Sequence, residues 1–590
     1  MDPIAVGFGL VVLATLLGSV AVVRRLYRPK RPWGEAARAR LVWGVPWGSI
    51  VVLVGVCCVY LFVQDGITDF ADPVTIPYRA WSYFAPLGML TASFSHAGPS
   101  HLLGNLAGAA VVAPIAEYAW GHYAEDGAER SDSRLADPRV RALVVFPVVV
   151  VAVGLATSLF ALGPVIGFSG IVFAFAGFAI VHYPIATLIG TVGLQGALLT
   201  VLQALQSPIS VHVAEASPPG PPSWATIAIQ GHGLGFFIGI VLGALVLERR
   251  SRRPNPLHLW LAVLLFGFGK SLWAIYWFGG ENTFVLLRGP GVVVVAVLAV
   301  VVTIGVTGSE SPLLPHRFRR GEGTSDRTAV DRALELARNS ADRTGNRLER
   351  VAAIAGGGAN AGRRHHKRAA FLAVLLVTAS LAGLAVPTNV LVIDGETTAD
   401  AAVEIEDYTV TYEEGAQNQL VSPVAVGPLE EAVSMESSGV IVSSDRHQVW
   451  LDAVTSQQLA FSGEETVYVG GPGWREGVTV ERTGWEPVGN ETVYQVWIEG
   501  GGEDRQLAHE SNESTADVRI DDRNVTVASE DEEFLLEVTE PDEDESATVP
   551  VPAENESATA DGLTFERENE TVYAVSNGTE VPVAVEETYD

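Results

Sequence analysis

The chain has 590 residues, 48% of them hydrophobic, and a formal net charge of −30. A uniform soluble globule is excluded, because a chain this acidic and this apolar has to join two different physical objects. From residue 391 onward there are 47 acidic and 7 basic side chains, against 21 and 31 before it, so a basic, apolar body carries an acidic, polar tail.

Apolar runs of about 20 residues match the thickness of a bilayer core, where backbone polar groups have to be satisfied within a helix or a closed barrel. They predict spans near residues 4–23, 43–63, 101–120, 141–161, 169–183, 187–205, 228–247, 257–278, 289–307 and 369–387. The first run lacks a basic stretch before it and is followed by RRLYRPKRPW, which reads as an uncleaved anchor rather than a signal peptide. Cys57 and Cys58 are adjacent inside the second run, so they cannot staple the tail, and no Cys/His spacing suits a metal. Basic loops stay on the cytoplasmic side. Arg24 to Arg40, LERRSRRPNP, and the stretch from HRFRRGEG to GRRHHKRAA all fall on one side if the spans alternate, which leaves the loop before residue 101 and the acidic tail external.

Three stretches place polar groups at membrane depth, where they are costly and usually face the protein interior. In SFSHAGPSHLLGNLAG, residues 93–108, a helix is predicted to begin near Pro99, so His101 and Asn105 share one face of its first two turns while His96 precedes it on the loop. In GPVIGFSGIVFAFAG, residues 163–177, Gly163 and Pro164 disfavour continuous helix and Gly167 and Gly170 flank Ser169, which puts a hydroxyl at a helix N-terminus able to stabilise an anion. In QGHGLGFFIGIVLG, residues 230–243, His232 is followed by Gly235, Gly239 and Gly243 on roughly its own face, and Gly170, Ala174 and Gly177 offer a matching small-residue face. Each stretch alone has a packing explanation. Together they stand apart, because alternating topology puts all three near the external ends of their spans.

Residues 308–368 form a basic cytoplasmic linker in which DRTAVDRALELARNSADRTGNRLERVAAIA has a partly amphipathic helical pattern; a solvated, topology-fixing loop and a membrane-surface role compete for it. Beyond residue 391, runs such as VEIEDYTVTY, ETVYVGG, ETVYQVWIE and RNVTVAS alternate between turn residues and predict a β domain. SEDEEFLLEVTEPDEDESATVPVPAENES has the composition of a linker that would set off a shorter terminal piece. Sequons at Asn490, Asn512, Asn524, Asn555, Asn569 and Asn577 agree with export of the tail. Three lysines against thirty-five arginines, with an intensely acidic tail, suit a high-salt environment, and no regularly spaced Asp/Asn/Gly loop supports calcium binding.

The motifs H-x4-H-x3-N (His96, His101, Asn105), G-x-S-G (Gly167, Ser169, Gly170) and small-His-x-x-Gly-x-x-x-Gly (Gly231, His232, Gly235, Gly239) come in the order found in the rhomboid family of intramembrane serine proteases, which the chain resembles over residues 43–250. By its apolar runs and the pattern of its tail the chain reads as an all-α polytopic membrane protein with additional transmembrane helices and a C-terminal external β-rich acidic domain, these additions lying outside the resemblance. It divides into an anchor and basic loop (1–42), the core (43–250), two further helices (251–307), the linker (308–368), a last helix (369–387) and the external domain (388–590). The resemblance implies a six-helix core. It further implies Ser169 as nucleophile, His232 as general base and then acid, and His101 and Asn105 joining the Ser169 N–H as oxyanion donors. His96, Gly167, Gly170, Phe173 and Gly235 would support the site, and Glu117 would be structural. No cofactor, metal or nucleic acid is implied; the partners are transmembrane protein substrates and the lipid bilayer of the cell membrane. Phe173 stands where the family often has Tyr, and a Trp-Arg pair is missing from APLGMLTASFSH. The competing reading is a catalytically silent rhomboid-like adaptor whose external domain binds exported proteins. A transporter predicts coupled charged residues near the midplane, of which the central spans have almost none, and no HExxH motif exists.

Overall fold

A computed structural model describes residues 3–26, 33–123, 134–207, 216–278, 283–308, 365–390, 401–417, 436–540 and 546–589. Among them are ten apolar helices: α1 (Pro3–Leu26), α2 (Trp47–Val63), α3 (Pro99–Trp120), α4 (Pro138–Leu159), α5 (Ser169–His182), α6 (Pro184–Gln206), α7 (Ile229–Arg249), α8 (Pro256–Gly269), α9 (Arg288–Thr307) and α10 (His365–Val390). Seven are long and apolar enough to cross a membrane, while α2, α5 and α8 are shorter. The chain is a multi-pass membrane protein. The amphipathic pattern expected within 308–368 lies outside the described residues.

Local chemistry sets the helix starts. Proline occupies the first turn of α3, α4, α6 and α8, where its missing N–H costs no helical bond. Asp137 and Asn255 cap α4 and α8 by accepting from the N–H groups of Arg139 (2.7 Å) and His258 (3.1 Å). One expected span needs correction: the run predicted as 257–278 is helical only to Gly269, and residues 276–278 pair instead as a short antiparallel ribbon with Phe284–Leu286. The break follows from Gly267, Gly269 and the charged Lys270, whose ammonium donates to Gln195 Oε1 at 2.6 Å.

Within lipid no hydrophobic drive pulls helices together, so packing and polar contacts have to do it. The central helix α5 buries Ile171, Phe173, Ala176 and Ile180 against Val112 and Ala116 of α3 and Phe236 and Ile240 of α7. Leu259 and Phe266 of α8, Val302 of α9 and Val374 of α10 belong to the same cluster, so the later helices share the core rather than hang beside it.

At the arginine-rich end, buried Glu117 locks α3 to the start of α2. Its Oε1 accepts from Gly48 N–H (2.8 Å) and His122 Nε2 (2.6 Å), and its Oε2 from Ser49 N–H (2.7 Å) and Ser49 Oγ (2.6 Å). His122 Nδ1 accepts from Val42 N–H at 2.9 Å, which leaves the ring proton on Nε2 to donate to the carboxylate.

The described strands of the tail pair antiparallel, with one short helix, Ser456–Ser462, among them. Strands within 402–417 and 436–455 form a four-stranded sheet, strands within 464–510 and 557–586 share an eight-stranded one, and strands within 514–539 and 546–550 form a second sheet of four. The acidic stretch expected to act as a linker instead carries two paired strands, Glu533–Thr539 and Ser546–Pro550. Nor is the terminal piece set off, because the last strand, Thr579–Glu586, pairs with Trp474–Pro487. Leu536 and Val538 face inward, and that alternation outweighs the acidic composition around it.

This domain stands on the loop between α2 and α3. Ile76, Trp81 and Ala85 of the loop lie in one hydrophobic cluster with Val403, Tyr408, Val467 and Val478 of the tail. Arg475 reaches Asp69 Oδ2 at 3.3 Å beside it.

Candidate active site

Ser169 is the first residue of α5. Gly163 (φ +80°) and Gly167 (φ +130°) take backbone conformations that L side chains rarely adopt, so the chain leaves α4 and re-enters helix only at the serine. Two hydrogen bonds pin that approach: Ala80 N–H donates to Val165 O at 3.0 Å, and Gly167 N–H to Ala92 O at 2.8 Å.

The serine helix and α7 touch backbone to backbone. A Cβ on Gly235 would lie 2.0 Å from Gly170 O, one on Gly239 2.0 Å from Ala174 O, and one on Gly177 2.2 Å from Phe236 O. Only glycine fits such an approach, and it brings Ser169 Oγ within 2.8 Å of His232 Nε2. His232 Nδ1 is buried with no hydrogen-bond partner among the described residues. Packing therefore aims the ring: Phe173 stacks on it with centroids 4.3 Å apart and planes 10° apart.

Around the serine loop, Gly167 again leaves room. A Cβ there would meet His101 Nε2 at 2.7 Å and Asn105 Nδ2 at 3.6 Å, so both nitrogens face the backbone just before Ser169. Asn105 is buried and its Nδ2 has no acceptor among the described residues. An unpaired buried donor costs about 1–3 kcal/mol, an expense that an acceptor arriving with a ligand would offset. His96 is fully buried, with neither ring nitrogen hydrogen-bonded among the described residues and its ring edge-on to His101 at 5.2 Å. Its backbone is gripped by Gln64, whose Oε1 accepts from His96 N–H (2.8 Å) and whose Nε2 donates to His96 O (2.8 Å) and Val74 O (2.9 Å).

Ser169, His232, His101, Asn105, Gly167, Gly170, Phe173 and Gly235 thus converge on one place, with His96 behind His101. Glu117 lies away from it, at the other end of α3. Three residues that sequence reasoning passed over complete the surroundings. Gln64 holds the His96 loop. Gln230 donates through Nε2 to Phe160 O (2.8 Å) and Leu381 O (2.7 Å) and accepts from Leu162 N–H (3.2 Å), tying the start of α7 to the end of α4 and to α10. Phe266 of α8 backs Phe173 edge-on at 5.4 Å and stacks on Phe236 at 5.0 Å. A polar residue at the end of an apolar run signals the two glutamines; Phe266 looks like any other core aromatic.

The arrangement pairs a hydroxyl with an imidazole and sets unpaired donors beside them, the parts needed to form and stabilise an oxyanion. Among the described residues no cluster of His, Cys, Asp or Glu is placed to hold a metal ion. Residues 83–249 match the family model described as Rhomboid domain. No curated protein and no solved structure matches the chain.

Proposed function

The chain belongs to the rhomboid family through residues 83–249, and from that premise we propose that it is an intramembrane serine endopeptidase that cleaves peptide bonds within or next to transmembrane segments of other membrane proteins. The observation that carries the reading is the 2.8 Å contact between Ser169 Oγ and His232 Nε2, with the unpaired Asn105 amide on the approach to the serine.

In this mechanism His232 Nε2 takes the hydroxyl proton as Ser169 Oγ attacks the scissile carbonyl carbon. The resulting oxyanion accepts hydrogen bonds from Asn105 Nδ2, His101 Nε2 and the Ser169 N–H. Collapse expels the amine, which leaves with the proton held on His232. Water, deprotonated by the same imidazole, then cleaves the acyl ester and restores the serine. Among the described residues no carboxylate bonds His232 Nδ1, so Phe173 and Gln230 take over the orientation of the ring. The protein is placed in the cell membrane with its β domain external, a reading supported by the basic loops at the opposite ends of the helices and by the six sequons.

The test is cleavage of a single-span reporter in proteoliposomes, with labelling by a fluorophosphonate. Ser169→Ala is expected to lose both, and Asn105→Ala to keep labelling while cleaving about 10²–10³ times more slowly. Full cleavage by Ser169→Ala would overturn the assignment, and a wild type that neither labels nor cleaves would favour the silent adaptor.

A further inference from the structure

A cavity of about 290 Å³ opens between α3, α4, α5 and α7, away from Ser169 and toward the arginine-rich ends of these helices. Its lining is apolar apart from Arg249 and the indole of Trp120, and among the described residues no carboxylate lines it. Along α7 it runs from Gly239 to Arg249. Ten residues at 1.5 Å each make about 15 Å, the hydrocarbon depth of one leaflet of a bilayer about 30 Å thick. That length, with an apolar lining on all four helices, matches one extended hydrocarbon chain.

The mouth is cationic. Arg249 lies at it, and the Arg141 guanidinium sits 4.3 Å over the Trp120 ring. Arg141 spends one nitrogen on Gly121 O at 3.3 Å, while its Nε is buried with no partner among the described residues. Basic pockets between transmembrane helices take up acidic headgroups, and a tryptophan belongs at the same depth.

From the leaflet-length apolar column and its two arginines we infer that this cavity is a binding site for one anionic phospholipid, an acyl chain filling the column and the phosphate lying between Arg249 and Arg141. The site braces α4 against α7 and is independent of the proteolytic reading, so its test uses no activity.

Full-length protein would be extracted from vesicles of equal parts phosphatidylglycerol and phosphatidylcholine with matched acyl chains, and the retained lipid counted by native mass spectrometry. Wild type is expected to keep one phosphatidylglycerol in preference to phosphatidylcholine, by about fivefold for each arginine. Arg249→Gln with Arg141→Gln should erase the preference. Val153→Trp or Leu242→Trp, which fill the column from opposite helices, should release both lipids without lowering the melting temperature. Unchanged preference in the double arginine variant, unchanged retention in both tryptophan variants, or a second protein chain in place of lipid would overturn the inference.

Discussion

Gly235→Ala tests how closely the site depends on one backbone contact. The added Cβ would lie 2.0 Å from Gly170 O, whereas ordinary contact begins at 3.4 Å, so α5 and α7 must part by the difference, about 1.4 Å. The opposing atom is a carbonyl oxygen of a buried helix and has no rotamer to escape into. If only half of that displacement reaches the dyad, the 2.8 Å separation of Ser169 Oγ and His232 Nε2 rises to about 3.5 Å, the limit of hydrogen bonding. A misplacement on the order of 1 Å costs about 10²-fold in rate, and Gly235→Ala is expected to lose about that much. The control is Gly233→Ala two residues earlier, whose Cβ meets only Leu381 Cδ1 at 3.5 Å and should be tolerated. Reporter cleavage and the rate of fluorophosphonate labelling would be measured on folded protein, with thermal stability followed in parallel. If Gly235→Ala cleaves and labels like wild type, the close approach does not set the dyad geometry and the reasoning fails.

Glu117→Gln puts an amide NH2 where four donors converge. Whichever way it is turned, the NH2 faces the N–H of Gly48 or of Ser49, so stability should fall by about 1–3 kcal/mol in thermal or denaturant unfolding. Gln230→Ala severs α7 from α10 and is expected to lower kcat with little change in KM; an unchanged kcat would deny the glutamine any part in aiming His232. In the tail, burial raises the Asp452 pKa above its ordinary value, against an opposing effect from the Ser437 hydroxyl. A carboxyl raised on folding binds its proton more tightly in the native state, so its contribution is best below the unfolded pKa and is lost as pH rises through the folded one. Asp452→Asn should therefore raise the melting temperature of the β domain at pH 7, and the gain should shrink toward pH 4. A gain that is the same at both values would argue against burial of the charge as its cause.

The membrane body was largely legible in the sequence because its determinants are local. Apolar length gives the spans, Pro99, Pro138, Pro184 and Pro256 mark helix starts, and Gly163 to Gly167 break the chain just before Ser169. Matching glycine faces even indicated which two helices must touch. What stayed hidden depends on residues far apart in the chain. Nothing near Gln230 in sequence announces that Leu381 will accept its hydrogen bond, and nothing around Phe266 announces Phe173. The stretch 529–557 was misread for the opposite reason. Its acidic residues and prolines suggest a solvated linker, yet Leu536 and Val538 need only a pairing strand to become core, and residues 546–550 supply it.

The seating of the β domain on the α2–α3 loop also sets an order in time. Ile76, Trp81 and Ala85 leave the ribosome more than 300 residues before Val403 and Val478, the tail side chains that cover them. At about 5–20 residues per second, the loop waits on the order of tens of seconds with that apolar surface bare. Through Val74 and Gln64 the same loop grips the backbone of His96. Maturation of the loop that holds His96 is therefore bound to the arrival of the last third of the chain.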